Sequence, residues 1–158
     1  MDLIIRNIES KDFNRINELF WQSDVFHNDN EPYIYEKTTE GYRSNEYLES
    51  ILQEKNSIFI LLEQNNEIIG FLYAYEEQKG HLPFHKKRKY LVIDNIVIDE
   101  KHRKKGYGTK LVNYIIENGT NKNYDDIVLN VFSFNKDAIK LYEKIGFRKL
   151  SQEMILKL

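Results

Sequence analysis

Apolar positions recur along the chain with two different periods, and this pattern predicts the order of its elements. Residues 3–8 form a short apolar run typical of a strand. A helix is predicted after Ser10, because apolar side chains then recur at intervals of three or four residues. Its apolar positions are Phe13, Ile16, Leu19 and Phe20. Residues 21–43 show no clear period and many aromatic and acidic residues, so they are predicted to form a long functional loop.

A second helix is predicted to begin near Ser44, and a hairpin follows it. Residues 58–63 and 68–75 are rich in β-forming side chains, and the Asn65-Asn66 pair between them tolerates the positive φ angles of a tight turn. Residues 90–98 form an almost continuous apolar run, which indicates a central strand covered on both faces. The remaining elements are predicted to be a helix at 108–118, a strand at 127–132, a helix at 135–145 and closing strand material at 147–158.

Composition limits the class of protein. A chain of 158 residues can bury one substantial core, so residues 1–158 are expected to form a single domain. No apolar run approaches the roughly 20 residues that a membrane helix requires. Cysteine is absent, which excludes disulfides, thiolate zinc sites and a cysteine nucleophile. No apolar segment of the signal-peptide kind follows the first residues, and a cytoplasmic protein is expected.

Charge and histidine placement argue against two further kinds of site. The net charge of −2 gives no general attraction to nucleic acid. The basic run at 79–89 lacks aromatic interleaving beyond Phe84, so a solvated hairpin loop is favoured over a nucleic-acid surface. The four histidines show no metal-ligand spacing on a common element; they are His27, His81, His85 and His102. No metal, nucleic-acid or membrane partner is predicted.

The segment at 103–110, Arg-Lys-Lys-Gly-Tyr-Gly-Thr-Lys, places two glycines among four cations, between the buried strand and a helix. A helix N-terminus has unpaired N–H groups and the positive end of the helix dipole, and glycine lets a bulky anion approach the main chain. Two familiar phosphate loops do not fit: Leu111 replaces the third glycine of a dinucleotide fingerprint, and the order Gly108-Thr109-Lys110 is not that of a P-loop. The segment is either an anion-binding loop of another kind or a plain turn with solvated lysines.

Two segments together resemble the GNAT superfamily of acyl-CoA-dependent N-acyltransferases. Residues 103–108 match the family's RxxGxG/A pyrophosphate loop, and residues 135–147, Asn-Lys-Asp-Ala-Ile-Lys-Leu-Tyr-Glu-Lys-Ile-Gly-Phe, are similar to its NxxAxxLYEKxGF segment. The resemblance implies a mixed α/β (α+β), three-layer fold, with a mostly antiparallel sheet splayed at a central parallel strand pair and about four flanking helices. It covers essentially the whole chain, more weakly before residue 57.

The resemblance also implies a binding site for acetyl-CoA. Its pantetheine arm would pair as a pseudo-strand with the backbone at Ile96, Val97 and Ile98, whose side chains could equally be plain core. Arg103 would fix the loop or touch the phosphates, and Asn135 would contact the CoA arm or act only as a helix N-cap. The pyrophosphate would be held by the main-chain N–H groups of Lys104, Lys105, Gly106, Tyr107, Gly108 and Thr109.

Two side chains are candidates for acid–base catalysis. Tyr142 lies in an apolar helical stripe, where a tyrosine can be a plain core residue, but the family's tyrosine donates a proton to the departing CoA thiolate. A base is also needed, because an amine arrives largely as ammonium. Asp94 aligns with a carboxylate of many family members, and its short side chain favours a water relay. Strand alternation places Asp94 on one face with Ile96 and Ile98.

The predicted reaction is direct attack of a primary amine on acetyl-CoA, with a small cationic amine or an exposed protein amine as acceptor. The resemblance implies that the segment after the first helix helps to build the acceptor side of the cleft, and its π faces and carboxylates would both attract an ammonium group. The candidate residues are Trp21, Asp24, His27 and Tyr33. A solvated surface loop is the alternative for this segment, and a non-catalytic acyl-CoA-binding regulatory module is the alternative for the chain. A homodimer is compatible with the sequence.

Overall fold

A five-stranded sheet lies at the centre of the protein, and its spatial order follows the chain. The computed structural model describes residues 2–80 and 82–158, so His81, one of the four histidines considered above, lies outside the described residues. The strands are β1 (Leu3–Asn7), β2 (Ser57–Gln64), β3 (Glu67–Lys79), β4 (Arg88–Ile98) and β5 (Asp126–Leu129). The helices are α1 (Phe13–Asn30), α2 (Asn45–Gln53), α3 (Tyr107–Asn121) and α4 (Lys136–Ile145). Short 3-10 turns at Ser10–Asp12 and Glu100–His102 precede α1 and α3.

Strand pairing is antiparallel from β1 to β4 and parallel between β4 and β5. Asn65 and Asn66 make the β2–β3 turn with φ angles of 50° and 65°, as a two-residue hairpin with positive φ at both positions requires. Helix α2 is capped by Ser44, whose hydroxyl accepts a hydrogen bond from the Tyr47 amide at 3.1 Å. The predicted hairpin, the start of α2 and the internal position of β4 are confirmed.

Apolar side chains cover both faces of the sheet, which gives the fold three layers. On one face α1 and α2 pack through Ile16, Leu19 and Leu48. On the other face α3 packs through Leu111 and Ile115. All five side chains are fully buried, and each such burial is worth roughly 1.5–3 kcal/mol. Helices α1, α2 and α3 are therefore fixed against the sheet.

Helix α1 is longer than predicted, and the loop predicted at 21–43 begins only after Asn30. Aromatic and polar contacts replace aliphatic ones in its second half: the ring of Phe26 packs edge-on against Phe134, with centroids 5.7 Å apart. The buried Asn28 side chain donates a hydrogen bond to the Tyr35 carbonyl at 2.6 Å. These partners are distant or irregular in sequence, so the apolar period does not reveal the helix. Three of the acceptor-side candidates lie on it: Trp21, Asp24 and His27.

The closing strand predicted at 147–158 is wrong, because these residues form no bridge to any strand of the described chain. Strand β5 is also shorter than the predicted 127–132 and ends at Leu129. An apolar pattern gives a segment strand propensity, but a strand forms only where another strand pairs with it. The exposed apolar side chains of this terminal segment are Leu150, Met154, Ile155, Leu156 and Leu158.

The basic run at 79–89 joins β3 to β4 and is partly neutralised by acidic neighbours. Arg88 pairs with Asp126 at 2.7 Å, and Lys89 pairs with Glu76 at 3.2 Å. These ion pairs tie the ends of neighbouring strands together. Among residues 2–80 and 82–158, no helix combines the length and apolar character needed to cross a membrane.

Candidate active site

Strands β4 and β5 separate halfway along β4. The last paired residues are Ile93 and Leu129, where β5 ends. Beyond that point β4 continues to Ile98 and is paired only with β3 within the described chain. One edge of β4 is therefore open from Asp94 onward, so the predicted splay at the parallel pair is confirmed.

The backbone of β4 alternates its polar groups between β3 and this open edge. The Asp99 amide, just after β4, donates to the Ile69 carbonyl of β3 at 2.9 Å. Since neighbouring residues of a strand point their N–H and C=O groups in opposite directions, Ile96 and Ile98 direct theirs to the open edge. Val97 directs its N–H and C=O groups toward β3. Among the three residues predicted to pair with pantetheine, Val97 is therefore the one that offers no backbone group on the open edge.

A loop with two left-handed residues connects the open edge to helix α3. Lys104 has a φ of 62° and Gly106, the residue before the helix, has a φ of 82°. The amides of residues 104–109 donate to no acceptor of the described chain, and that of Lys110 is the first to do so, reaching the Gly106 carbonyl at 3.2 Å. Such a run of free N–H groups at a helix N-terminus fits a pyrophosphate.

Side chains of this loop also brace it. Arg103 donates through Nε to the Ile98 carbonyl at 3.1 Å, which supports its predicted role in fixing the loop. The Lys105 ammonium donates to the Lys101 carbonyl at 3.2 Å, and the Tyr107 hydroxyl donates to Gln64 at 2.9 Å. Within the described chain, Lys104 and Thr109 make no such brace. Lys104 lies 3.6 Å from the Asp137 carboxylate, with both side chains exposed, and Thr109 is half-buried in the first turn of α3.

Gly108 brings α3 close to α4, a role that the sequence did not reveal. It lies in the first turn of α3, and a Cβ atom there would come within 3.1 Å of the Leu141 Cδ1 atom. That distance is tighter than ordinary van der Waals contact. The glycine therefore serves helix packing as well as any approach of a ligand.

Helix α4 presents two candidate residues to the same region. The Asn135 side chain accepts a hydrogen bond from the Ala138 amide at 3.3 Å, so it acts as the N-cap of α4. Tyr142 is 8% exposed, and its ring packs against Phe147. Its hydroxyl bonds to no group of the described chain, and burial raises its pKa to about 12. Tyr142 is thus a buried residue with an unengaged polar atom.

Asp94 lies at a bulge in β4. Tyr73 of β3 is paired with Asn95, but the next β3 residue, Ala74, is paired with Ile93. Asp94 is therefore an extra residue without a partner across the β3–β4 ladder, an arrangement that re-aims a side chain. No feature of the sequence marks this bulge.

The bulge overturns the predicted face of Asp94. Ile96 and Ile98 pack with the cluster under α3, as does Ile93. The Asp94 carboxylate instead acts on Tyr75, whose phenol pKa is raised first by burial and then by the charge of Asp94. Since Tyr75 packs against the cluster on the α1–α2 face, Asp94 does not share a face with Ile96 and Ile98.

A second carboxylate, Glu54, lies near Asp94 and was missed by the sequence analysis. The Tyr73 hydroxyl donates a short hydrogen bond to Glu54. Burial raises the pKa of Asp94; a hydrogen bond from Asn95 at 2.6 Å opposes the shift, and the charge of Glu54 adds to it. Neither carboxylate has a cation within ion-pair distance in the described chain. Alternation along β3 places Tyr73 and Tyr75 on one face of the sheet. This alternation was the sequence signal that could have revealed the two tyrosines beside these carboxylates.

Asp24 has a cationic partner inside the protein. Both of its oxygens accept hydrogen bonds from the Arg43 guanidinium, at 2.7 Å and 3.0 Å. The same guanidinium lies over the rings of Phe20 and Tyr42, at 4.1 Å and 4.5 Å from their centroids. A bidentate pair of this kind neutralises the carboxylate.

The other acceptor-side candidates also contact protein groups. The Trp21 indole donates to the Thr38 carbonyl at 3.2 Å. Tyr33 is 56% exposed, and the Lys157 ammonium lies 4.7 Å from the centroid of its ring. His27 donates through Nδ1 to the Ser23 carbonyl at 2.7 Å, one helical turn earlier.

His27 is surrounded by four aromatic rings. Their centroids lie 5.2–5.8 Å from that of the imidazole; they belong to Phe26, Tyr35, Phe132 and Phe134. Phe132 is three residues beyond the end of β5, so this His27 aromatic cluster borders the splayed strands. The sequence placed Phe132 in a strand and missed the cluster, which joins α1 to the segment after β5.

Comparison with known proteins assigns the chain to a family. Residues 14–147 match the sequence model of the Acetyltransferase (GNAT) family. The chain belongs to the GNAT acetyltransferase family. Human N-acetyltransferase 8 is 25% identical over 103 residues, which are 65% of this chain and 44% of that protein. N-alpha-acetyltransferase 30 of Xenopus laevis is 41% identical over 69 residues, which are 42% of this chain and 24% of that protein. The chain thus spans less than half the length of these curated relatives.

Solved structures show the same GNAT fold. A tetramutant of the BH1408 protein from Bacillus halodurans has a TM-score of 0.92 and 26% identity, over 98% of this chain and 99% of that one. The aminoglycoside acetyltransferase HMB0005, from an uncultured soil metagenomic sample, has a TM-score of 0.72 and 24% identity, over 100% and 99% of the two chains. The second likeness concerns the fold alone. The predicted GNAT architecture is confirmed.

Proposed function

We propose that this GNAT protein transfers the acetyl group of acetyl-CoA to a primary amine by direct attack within a ternary complex. The open edge of β4 carries the proposal, because it ends beside the free amides of residues 104–109. A ligand with an amide-containing arm and a pyrophosphate matches both features. Acetyl-CoA supplies the acetyl group as an activated thioester.

The chain's own groups divide the work of holding this co-substrate. Ile96 and Ile98 offer backbone groups to the pantetheine arm, although the Ile98 carbonyl is already bonded to Arg103. The loop amides and the positive end of α3 hold the pyrophosphate. Lys104 and Lys105 add positive charge, and Asn135 lies at the start of α4 on the same side. Holding amine and thioester together supplies much of the acceleration.

Asp94 is proposed as the general base. An ammonium cannot attack until it loses a proton. Asp94 reaches solvent, and its raised pKa brings it nearer to the working pH than an ordinary aspartate. The bulge turns the carboxylate toward the α1–α2 face, where the acceptor is expected. Its short side chain favours proton removal through water.

Tyr142 is proposed as the general acid. As the new C–N bond forms and the C–S bond breaks, the departing thiolate takes the proton of the Tyr142 hydroxyl. With a pKa of about 12, the phenol is fully protonated at neutral pH, as a donor must be. The transfer is uphill against a thiol of ordinary pKa, roughly 8.5, but the same burial raises the pKa of a thiol bound beside it.

The acceptor is proposed to be a cationic amine attracted mainly by Asp94 and Glu54. These carboxylates lack cationic partners in the described chain, whereas Asp24 is paired with Arg43. The phenol rings of Tyr73 and Tyr75 beside them add π faces for an ammonium group. Trp21, His27 and Tyr33 then shape the outer part of the acceptor side. Relatives named N-alpha-acetyltransferase and neighbours named aminoglycoside acetyltransferase make protein N-termini and aminoglycosides the first compounds to test.

Release of free thiol from acetyl-CoA in the presence of an amine panel tests the proposal. Polyamines, aminoglycosides, amino acids and peptide N-termini form the panel, and neutral alcohols are the control. Amine-dependent thiol release supports an acetyltransferase. CoA binding without turnover on any amine would instead indicate a non-catalytic acyl-CoA-binding module.

Two variants test which carboxylate selects the acceptor. For the best amine, Glu54→Gln is expected to lower kcat/KM more than Asp24→Asn. The reverse order would show that Asp24 on α1 determines the selectivity.

A further inference from the structure

A buried carboxylate anchors the segment between β4 and the pyrophosphate loop. Asp99 directly follows β4, and only 3% of it is exposed. One carboxylate oxygen accepts hydrogen bonds from Arg15 at 2.5 Å and from Gln22 at 3.2 Å. The other accepts the Lys101 amide at 2.8 Å, which caps the turn Glu100–His102. Asp99 thus links helix α1 to the start of the loop.

Helix α1 contributes two neighbouring side chains to this link. Arg15 and Gln22 are seven residues apart, so they lie on the same face of the helix. Gln22 bridges the turn, because its carbonyl oxygen also accepts the Glu100 amide at 3.0 Å. Arg15 also donates through Nε to the Ile68 carbonyl of β3 at 3.1 Å. The loop entrance is therefore hydrogen-bonded to helix α1, and α1 is in turn hydrogen-bonded to strand β3.

The charge balance of this group keeps Asp99 ionised. Burial alone would raise the pKa of the Asp99 carboxyl, but the hydrogen bonds from Arg15, the Lys101 amide and Gln22 outweigh it and hold the pKa below its ordinary value. An ionised, fully bonded carboxylate has one preferred geometry, unlike a solvated loop residue. The turn after β4 is held in place before any ligand arrives.

We propose that Asp99, Arg15 and Gln22 are positioning residues that preorganise the pyrophosphate loop for CoA. None of the three needs to touch the ligand. They fix the turn Glu100–His102, which leads directly into Arg103 and the free amides of residues 104–109. Preorganisation lowers the cost of ordering a loop on binding, so its loss appears as weaker ligand affinity. This inference rests on the proposed use of acetyl-CoA.

A matched control exists at the N-terminal end of α1, next to edge strand β1. Asp12 is also buried, at 5% exposure, and it accepts a bidentate pair of hydrogen bonds from Arg6 and one from the Glu9 amide. Arg6 lies on β1, three strands away from β4. Asp12→Asn therefore removes a comparable buried carboxylate at the start of α1 while leaving every bond between α1 and the loop in place. It reports the combined effect of lost stability and of a loosened N-terminal end of α1.

Calorimetric titration with CoA, and steady-state kinetics with acetyl-CoA, test the proposal in Asp99→Asn, Gln22→Ala and Asp12→Asn. We expect the Kd for CoA and the KM for acetyl-CoA to rise about tenfold or more in the first two variants, with kcat at saturation within about twofold of wild type. The KM for the amine is expected to stay unchanged. Asp12→Asn is expected to leave the Kd and both KM values unchanged.

Gln22→Ala decides the outcome should Asp99→Asn fail to fold, because Gln22 is only half-buried on a helix held by other contacts. Wild-type affinity for CoA in folded Gln22→Ala would overturn the proposal, as would equal weakening in the Asp12→Asn control. A lower kcat with an unchanged KM in Gln22→Ala would indicate only a loss of active protein, and this result would also overturn the proposal. Failure of wild-type protein to bind CoA would instead refute the proposed function.

Discussion

Substituting phenylalanine for Tyr142 separates the two roles that a buried tyrosine can have. The ring is 8% exposed and packs against Phe147, and phenylalanine preserves both features. The hydroxyl bonds to no group of the described chain, so its removal leaves no protein donor or acceptor unpaired. Since an average hydrogen bond contributes about 1 kcal/mol, we expect the free energy of unfolding at pH 7 to change by less than that.

The effect on turnover is expected to be much larger. A positioned general acid typically contributes 10²–10⁴-fold, or about 3–5 kcal/mol of transition-state stabilisation. Tyr142→Phe should lower kcat by about 10²-fold or more, while the KM for acetyl-CoA changes little, because the lost interaction is made only in the transition state.

The same variant changes the stability at high pH. Burial raises the pKa of Tyr142 to about 12, so between about pH 10 and 12 the unfolded tyrosine has lost its proton while the folded one retains it. The stabilisation from this group is complete below pH 10 and is lost as the pH rises through 12, by about 3 kcal/mol. Tyr142→Phe should lack this part of the alkaline loss.

Thiol release at saturating substrates and urea denaturation at pH 7 measure both quantities. Tyr124→Phe is the matched control, because the Tyr124 hydroxyl donates to Glu76 at 2.8 Å, away from the loop and α4. We expect Tyr124→Phe to lose roughly 1 kcal/mol of stability with normal turnover. Wild-type turnover in Tyr142→Phe, together with a loss of stability like that of the control, would show that Tyr142 is only a core residue.

Three further changes test other parts of the protein. Asp94→Asn should lower kcat/KM by about 10²-fold and remove the acidic limb of its pH profile, and an unchanged profile would exclude Asp94 as the base. Gly70→Ala should cost about 1–3 kcal/mol in urea denaturation, since its Cβ would lie 2.7 Å from the Val97 carbonyl oxygen; an unchanged midpoint would contradict this. Gly108→Val should weaken CoA binding about tenfold in calorimetry, and the affinity should stay low when Leu141→Ala is combined with it to make room for the valine. If the double variant regains wild-type affinity for CoA, Gly108 serves helix packing alone.

The proposed CoA side of the site was largely predictable because its signals are local in sequence. Gly106 lies directly before α3 with a positive φ, as the glycine pattern implied. Arg103 and Asn135 make the bracing and capping contacts that were among their stated alternatives. The Asn65-Asn66 turn is equally local. Backbone conformation at such positions depends on a few adjacent residues, so a single sequence contains the necessary information.

The proposed acceptor side was less predictable because distant segments build it. The second half of α1 is held by rings from the segment after β5, and Asp24 is neutralised by Arg43, which is 19 positions away. The bulge at Asp94 depends on the register of β3 against β4, and no residue type specifies it. Alternation alone therefore placed Asp94 on the wrong face.

Charge neutralisation changes which acidic residues can select an acceptor. The segment 21–43 is rich in acidic residues, and counting them favoured Asp24 as an ammonium site. A carboxylate bonded twice to a guanidinium has little remaining attraction for a second cation. Asp94 and Glu54 lie close enough for the charge of Glu54 to raise the pKa of Asp94, and neither has a cation within ion-pair distance in the described chain. An arriving ammonium relieves this repulsion, so selectivity for cationic amines is expected to depend on β4 and the end of α2.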